Sequence, residues 1–295
     1  MKPFKYLEPS TVKEACALLS KYGENAKILA GGQSIVLLLR QGLIAPDSII
    51  NIRNVHELEY IRNSDRGIRI GALTTHSTLK TSSLIKEKFP VLIEAEKRLA
   101  HTQIRNWGTV GGNLCHADPA TDLAPPLIGL GAKVKAASIR GEREIALRDF
   151  FVDMFTTALK SDEILTEIEI PWLPPHSGCA YRKETIIAGD YPLASAAAVV
   201  TLDSKHEIIK EARIVLGGLG ATPIYAEEAA KALIGKKANA KLVEEAGAAA
   251  SRQANPVGDV LGSAEYKQKL AGLITNEMVK LAIERAKKIT GGASK

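Results

Sequence analysis

Two short stretches, Ala30-Gly31-Gly32-Gln33-Ser34 and Thr109-Val110-Gly111-Gly112-Asn113, pair adjacent glycines with small polar residues. Glycine tolerates positive φ and has no Cβ to hold a ligand off the main chain. Consecutive exposed N–H groups form a concavity that attracts anions. Either pair alone is also what a tight turn requires. Two of one form in a single chain could close on a diphosphate from both sides, which suits a dinucleotide better than a lone phosphate. No Lys-Ser/Thr follows either pair and no G-x-G-x-x-G is present, so neither a P-loop nor a Rossmann fingerprint explains them. A bound phosphate must then be met mainly by backbone N–H groups. The side chains of Ser34, Asn113 and Thr109 can add hydrogen bonds.

The second stretch runs on into Asn113-Leu114-Cys115-His116-Ala117-Asp118-Pro119-Ala120-Thr121-Asp122. Two aspartates and a histidine invite a metal reading. The simpler one is that Asp118-Pro119 opens a turn and an aspartate caps a following helix. A ligand-facing aspartate here could also hold ribose hydroxyls, as acidic residues do in other dinucleotide sites. The other histidines have no partner at a metal-ligand spacing and read as ordinary surface or core residues; no metal is expected. Gly217-Gly218 reads as a strand end or bulge, and Gly291-Gly292 as tail.

The elements that must position these stretches follow from periodicity. Thr11-Val-Lys-Glu14 is a capping box and Gly23 a stop, framing a helix of about three turns. Residues 26–29 and 48–52 read as strands around a helical turn at 35–40, a small α/β unit. Hairpins are expected at 58–62 with 67–73 and at 132–137 with 142–147, a helix from Pro90 to about His101, a helix at 120–130 with Pro125-Pro126 near its start, and a strand at 164–170. The run 171–178, rich in proline, is the clearest boundary. Beyond it, strands at 193–202 and 208–217 flank Asp203-Ser-Lys-His, Thr222-Pro223 caps a helix, and two further helices lie near 238–252 and 263–289, with a frayed tail at 290–295. The fold class is α+β: residues 1–175 in two α/β subdomains (1–55 and 56–175), then 176–295 as an antiparallel sheet with helices.

Composition bounds the function. The 295 residues are 45% hydrophobic but only 5% aromatic, so the core rests on Ala, Ile, Leu and Val. The net charge of +6 is spread along the chain, and no basic-aromatic stripe supports nucleic-acid binding. No apolar run is long enough for a membrane span. Cys16, Cys115 and Cys179 are far apart and form no C-x-x-C, which argues against a zinc site or an iron–sulfur cluster held by this chain. The odd cysteine count and the lack of a secretory signal lead to an expectation of the cytoplasm.

Taken together and in order, Ala30-Gly-Gly-Gln-Ser34, Thr109-Val-Gly-Gly-Asn113 with Asp118-Pro and Asp122, Glu163-Ile-Leu before Ile168-Glu-Ile-Pro171, and Gly189-Asp190-Tyr191 resemble the FAD-binding medium subunit of the molybdenum hydroxylases, the CO dehydrogenase and xanthine dehydrogenase type. The resemblance runs from about Phe4 to the last helix and implies a PCMH-type FAD domain followed by a CO dehydrogenase flavoprotein C-terminal domain. It implies that Leu29, Ala30, Gly31, Gly32, Gln33 and Ser34, with Thr109, Gly111, Gly112 and Asn113, hold the FAD diphosphate and its ribityl side. By the same resemblance Asp118 and Asp122 lie on the nucleotide side, Asp122 at the adenosine ribose. Ile164 and Leu165 match the lining of the adenine pocket, and Leu99 stands where some relatives place an aromatic on the adenine. Leu114, Cys115 and Tyr191 match positions beside the isoalloxazine ring, Tyr191 as its cover, and Arg182 and Asp190 match polar positions near it. Cys115 has no partner cysteines, which argues against the hydroxybenzoyl-CoA reductase branch with its extra cluster.

The resemblance further implies an electron-transfer subunit with no catalytic acid, base or nucleophile of its own. Iron–sulfur clusters and molybdopterin would sit in a small and a large partner subunit, in a heterotrimer that is commonly dimerised. Electrons would leave through FAD to an acceptor such as NAD, a quinone, ferredoxin or oxygen. The rival readings are a self-contained FAD-dependent oxidase or dehydrogenase of the same FAD-domain superfamily, and a non-catalytic nucleotide-binding module.

Overall fold

A computed structural model describes residues 2–288, so the expected tail, Gly291-Gly292 and the end of the last helix lie outside the described residues. The chain forms two compact units that interleave along the sequence. The first comprises residues 1–88, 101–117 and 132–170; the second comprises 89–100, 118–131 and 171–295. The last change of unit comes at 170/171. The excursions at 89–100 and 118–131 break the simple N-terminal/C-terminal division, because both segments pack with the later part of the chain.

In the first unit, strand β1 (Lys5–Leu7), helix α1 (Val12–Tyr22), strand β2 (Ala26–Leu29), helix α2 (Ile35–Gln41) and strand β3 (Ser48–Asn51) form a parallel sheet of order β1-β3-β2. The central strand β3 is buried throughout, as a strand covered on both faces must be. Thr11 caps α1 by accepting from the Glu14 N–H, and Gly23 closes it. The Glu14 carboxylate reaches back to the N–H of Ser10. Ala15, Cys16 and Leu19 face a core that includes Ile50, Leu58, Ala137 and Ile164.

Next come β4 (Ile61–Ser64), β5 (Gly67–Gly71), α3 (His76–Thr81) and α4 (Ser83–Lys88). Helix α5 (Pro90–Arg98) belongs to the second unit; α6 (Thr102–Trp107) and α7 (Val110–His116) return to the first. Helix α8 (Ala124–Gly129) is again in the second unit, with Pro125 and Pro126 in its opening turn as the sequence requires. The remaining strands of the first unit are β6 (Lys133–Ser138), β7 (Gly141–Ala146), β8 (Phe151–Asp153), β9 (Thr156–Thr157) and β10 (Ile164–Pro171). The two expected hairpins join through β10 into one sheet of order β4-β5-β10-β6-β7.

The second unit holds an antiparallel sheet of β11 (Ser177–Glu184), β12 (Ala194–Leu202), β13 (Ile209–Gly217) and β14 (Ile224–Tyr225), with α9 (Glu227–Leu233), α10 (Ala240–Gln253) and α11 (Ala264–Lys288). All nine residues of β12 are buried, because α11 covers it and α8 packs against it as well. Two expectations are corrected here. Ser177 and Gly178, read as boundary, already belong to β11. Thr222-Pro223 does not cap a helix: the fixed φ of proline leads into the extended pair of β14, and α9 starts only after Ala226.

Candidate functional site

The first glycine stretch leaves the C-terminal end of β2 and turns into α2, whose N-cap is Ser34. Ligands of open parallel α/β sheets bind beyond such strand ends. Gly32 has φ +76°, a left-handed conformation that a side chain resists. Among the described residues, the N–H groups of Gly32, Gln33 and Ser34 make no hydrogen bond. They form an open run of donors at the start of a helix, suited to an anion. Leu29, Ala30 and all four residues 31–34 are partly exposed, so the turn is reachable.

The second stretch lies against the first. A Cβ on Gly31 would overlap the carbonyl oxygen of Trp107 and come within 2.8 Å of the Gly108 Cα, so the two backbones touch. A Cβ on Gly112 would stand 3.8 Å from that of Ala30. The expectation of donors from both stretches is corrected: residues 109–113 are not an open turn but the cap and first turn of α7. Thr109 Oγ1 accepts from the Gly112 N–H at 3.1 Å. The N–H groups of Val110, Gly111 and Asn113 go to the carbonyls of Thr74, Ala72 and Thr109. Residues 110–113 therefore spend their N–H groups within the fold, whereas those of residues 32–34 stay open. Gly111 serves close packing, since a Cβ there would lie 2.7 Å from Ala72.

The partly exposed residues of α7 are Gly112, Asn113, Cys115 and His116, while Leu114 is wholly buried. Leu114 thus anchors the helix. Burial pushes the Cys115 thiol up to about 12, so it stays neutral. Ile164 and Leu165 are each 3% exposed, and Ile164 packs under α1. Both lie at the start of β10. A cavity of about 390 Å³ opens beside the two stretches, lined by Gly31, Asn51, Arg53, Thr75, Trp107 and Thr109 among others. Over its rim the Arg53 guanidinium lies 3.9 Å from the Trp107 ring centroid. Nothing in the sequence pattern pairs these two residues across 54 positions.

Comparison with known proteins bears on what such a cradle holds. Residues 2–173 match the family model of the FAD-binding domain in molybdopterin dehydrogenase, and residues 179–282 match that of the CO dehydrogenase flavoprotein C-terminal domain. This chain belongs to that flavoprotein family. The alpha subunit of the 6-hydroxypseudooxynicotine dehydrogenase complex of Paenarthrobacter nicotinovorans is 39% identical, with 97% of each chain covered. The carbon monoxide dehydrogenase medium chain of Afipia carboxidovorans is 36% identical, with 96% of each covered. Among solved structures, carbon monoxide dehydrogenase from Hydrogenophaga pseudoflava superposes with a TM-score of 0.93 at 33% identity, over 97% of this chain and 99% of that one. The protein is accordingly an oxidoreductase subunit with an FAD-binding domain.

The other candidates of this flavoprotein subunit, Leu99, Asp118, Asp122, Arg182, Asp190 and Tyr191, belong to the second unit. Asp122 is buried, with both oxygens engaged: Tyr181 donates to Oδ1 at 2.8 Å and Lys183 to Oδ2 at 2.7 Å. Burial pushes its carboxyl above the ordinary value, against the pull of the Lys183 ammonium. Lys183 also donates to the carbonyl of Asp190 at 2.9 Å, which pins the turn before Tyr191. Sequence reading missed both partners of Asp122; the available signal was a lysine at an inward position of a strand. Arg182 is taken up by ion pairs with Glu277 and Glu184. Asp118 Oδ1 accepts from the Ala120 N–H at 2.9 Å, the turn expected of Asp-Pro. Leu99 is buried. Tyr191 is 60% exposed, and partial burial with the charges of Asp118, Asp190 and Asp122 raises its phenol.

Among the described residues no group of three or more His, Cys, Asp or Glu could hold a metal, and no helix is long and apolar enough to cross a membrane.

Proposed function

We propose that this chain is the electron-transfer subunit of a multi-subunit molybdenum hydroxylase. It would take electrons from the iron–sulfur clusters of a small partner subunit and pass them through FAD to an external acceptor, while substrate is oxidised in a large molybdopterin subunit. The observation that carries the reading is the open run of N–H donors at Gly32, Gln33 and Ser34, set against the capped start of α7. That donor set fits the diphosphate of FAD without a lysine, and the bare glycines leave the main chain accessible. Bound FAD would supply the redox chemistry; the protein supplies grip, orientation and access.

Residues 32–34 would bind the diphosphate, and Thr109 would hold the start of α7 in place. Asn113, Cys115 and His116 are the side chains of α7 with surface to offer a ligand. In this reading Tyr191, in a turn pinned by Lys183, governs the approach of the acceptor. NAD, a quinone, ferredoxin or oxygen would each serve. The free thiols of Cys16, Cys115 and Cys179 suit a reducing cytoplasm.

The test is to express the chain with and without its partners and follow flavin absorbance on adding candidate substrates. Flavin reduction only in the assembled complex supports the proposal. Reduction of flavin in the chain alone would make it a self-contained oxidase. A colourless chain that gains no thermal stability from FAD would leave only a non-catalytic module.

A further inference from the structure

The cavity beside the glycine stretches lies wholly within the first unit. It meets the first stretch at Ala30 and Gly31, while Gly32, Gln33 and Ser34 are not in its lining. It is therefore a compartment next to the open donor run, not the run itself. Its volume of about 390 Å³ falls within the ~300–1,000 Å³ of small-molecule pockets.

Arg53 decides what chemistry this compartment suits. Strand β3 ends at Asn51, and ligands of open parallel sheets gather beyond such strand ends. Asn51 is buried, and its amide donates to the Tyr6 hydroxyl at 2.8 Å and to Glu8 Oε1 at 3.2 Å. Its oxygen accepts from the Arg53 N–H at 3.2 Å, which fixes the backbone that carries the guanidinium. That guanidinium rests over the Trp107 ring and, among the described residues, makes no side-chain hydrogen bond or ion pair. Glu59 shares the lining, yet it lies 3.5 Å from His56 Nδ1 and not on Arg53. The contact with the ring restrains the cation and uses none of its N–H donors. Their fork matches the paired oxygens of a carboxylate or a phosphate. Asn106 lines the same cavity. Ser77 Oγ donates to its oxygen at 2.5 Å, so its amide N–H groups remain as donors.

We propose that Arg53, held on Trp107, binds the phosphate or carboxylate of a small organic anion seated in this cavity, at a site separate from the flavin cradle. Asn54 and Asn106 would add neutral donors, and Leu73 and Trp107 would offer apolar wall to the rest of the ligand. The anion would pair with Arg53 without first breaking an ion pair within the chain.

The test uses the full-length chain. Trp172→Phe leaves Trp107 as its one tryptophan, so emission reports on the cavity. AMP, standing for organic phosphates, and benzoate, for organic carboxylates, are titrated at constant ionic strength set with KCl, by emission and by calorimetry. The expected result is saturable one-to-one binding, with the tighter of the two probes naming the anionic group. Arg53→Met and Arg53→Lys should each weaken it roughly tenfold or more, the lysine because it keeps the charge and loses the fork. Arg66→Met, which removes an exposed arginine outside the lining, should change nothing. Circular dichroism checks that the variants fold. Calorimetry in saturating FAD should return the same affinity. Displacement of the probe by FAD would make the cavity part of the flavin site and overturn the separate one. So would saturable binding of neither probe, or undiminished affinity in folded Arg53→Met protein. Since the titrations on the flavin-free chain need no cofactor, the site can fail while the flavin reading stands.

Discussion

Gly32→Val separates the cradle's role from its contribution to folding. The native φ of +76° costs a residue with a Cβ about 1–2 kcal/mol. The added branch also meets Val36 Cγ2 at 3.3 Å. Against a domain stability of about 5–15 kcal/mol the fold should survive. Relief of that strain turns the chain out of the left-handed region and redirects the N–H groups of Gln33 and Ser34. Two charge-assisted hydrogen bonds at about 1.5–3 kcal/mol each amount to about 3–6 kcal/mol. FAD affinity should then fall roughly 10²- to 10⁴-fold. Gly42→Val is the matched control: Gly42 has φ +72° with nothing within 4 Å of its absent Cβ, so it carries similar strain away from the cradle. The assay titrates FAD into deflavinated protein by fluorescence quenching, alongside thermal melts of both variants. Similar melting losses with loss of FAD only in Gly32→Val support the reasoning. Unaltered FAD affinity in folded Gly32→Val protein, or an equal loss in Gly42→Val, would refute it.

Thr109→Ala removes the cap on the Gly112 N–H; it should cost about 1 kcal/mol in denaturant unfolding and lower FAD affinity by a smaller factor than Gly32→Val. Lys183→Met leaves the Asp122 carboxylate buried beside Tyr181 alone, at a cost of about 3–5 kcal/mol near neutral pH. Because burial already holds the Asp122 pKa high, and the penalty falls on the ionised form, the melting gap from wild type should narrow as acid protonates Asp122; a gap that widens toward acid would contradict this. Glu163 behaves in the opposite sense. The Arg143 guanidinium, 2.8 Å away through both Nε and Nη2, holds its carboxyl below the ordinary value. That stability is present above the unfolded-state pKa and is lost as pH falls through the lower folded one. Arg143→Met should therefore cost about 2 kcal/mol at pH 7 and little at low pH, read from urea unfolding across pH.

What the sequence disclosed depended on how local the cause was. The frame of α1 was legible because a capping box and a terminal glycine are contained within thirteen residues, and the hairpins at Gly67 and Gly141 because turn chemistry is short-range. Ser177–Glu184 was hidden by the preceding prolines, which punctuate the chain without saying how soon a strand resumes. The interleaving of the units was not legible, since α5 and α8 follow their packing partners in the second unit rather than their sequence neighbours. Within the site, the glycines of residues 30–34 announced a left-handed turn. In residues 109–113 the same residue types serve a helix start, with donors spent on Thr74, Ala72 and Thr109. Asp122 stood out by type, yet its partners Tyr181 and Lys183 come from a strand some sixty residues on, beyond any spacing rule.

The central claim is that main-chain donors of residues 32–34 grip the diphosphate of the flavin nucleotide. Amide-resolved NMR of the ¹⁵N-labelled, deflavinated chain tests it most directly. The Gly32, Gln33 and Ser34 amides should move on adding FAD and again on adding ADP, but not with riboflavin, which lacks the diphosphate. If those three amides stay in place while FAD binds stoichiometrically, the nucleotide is held elsewhere.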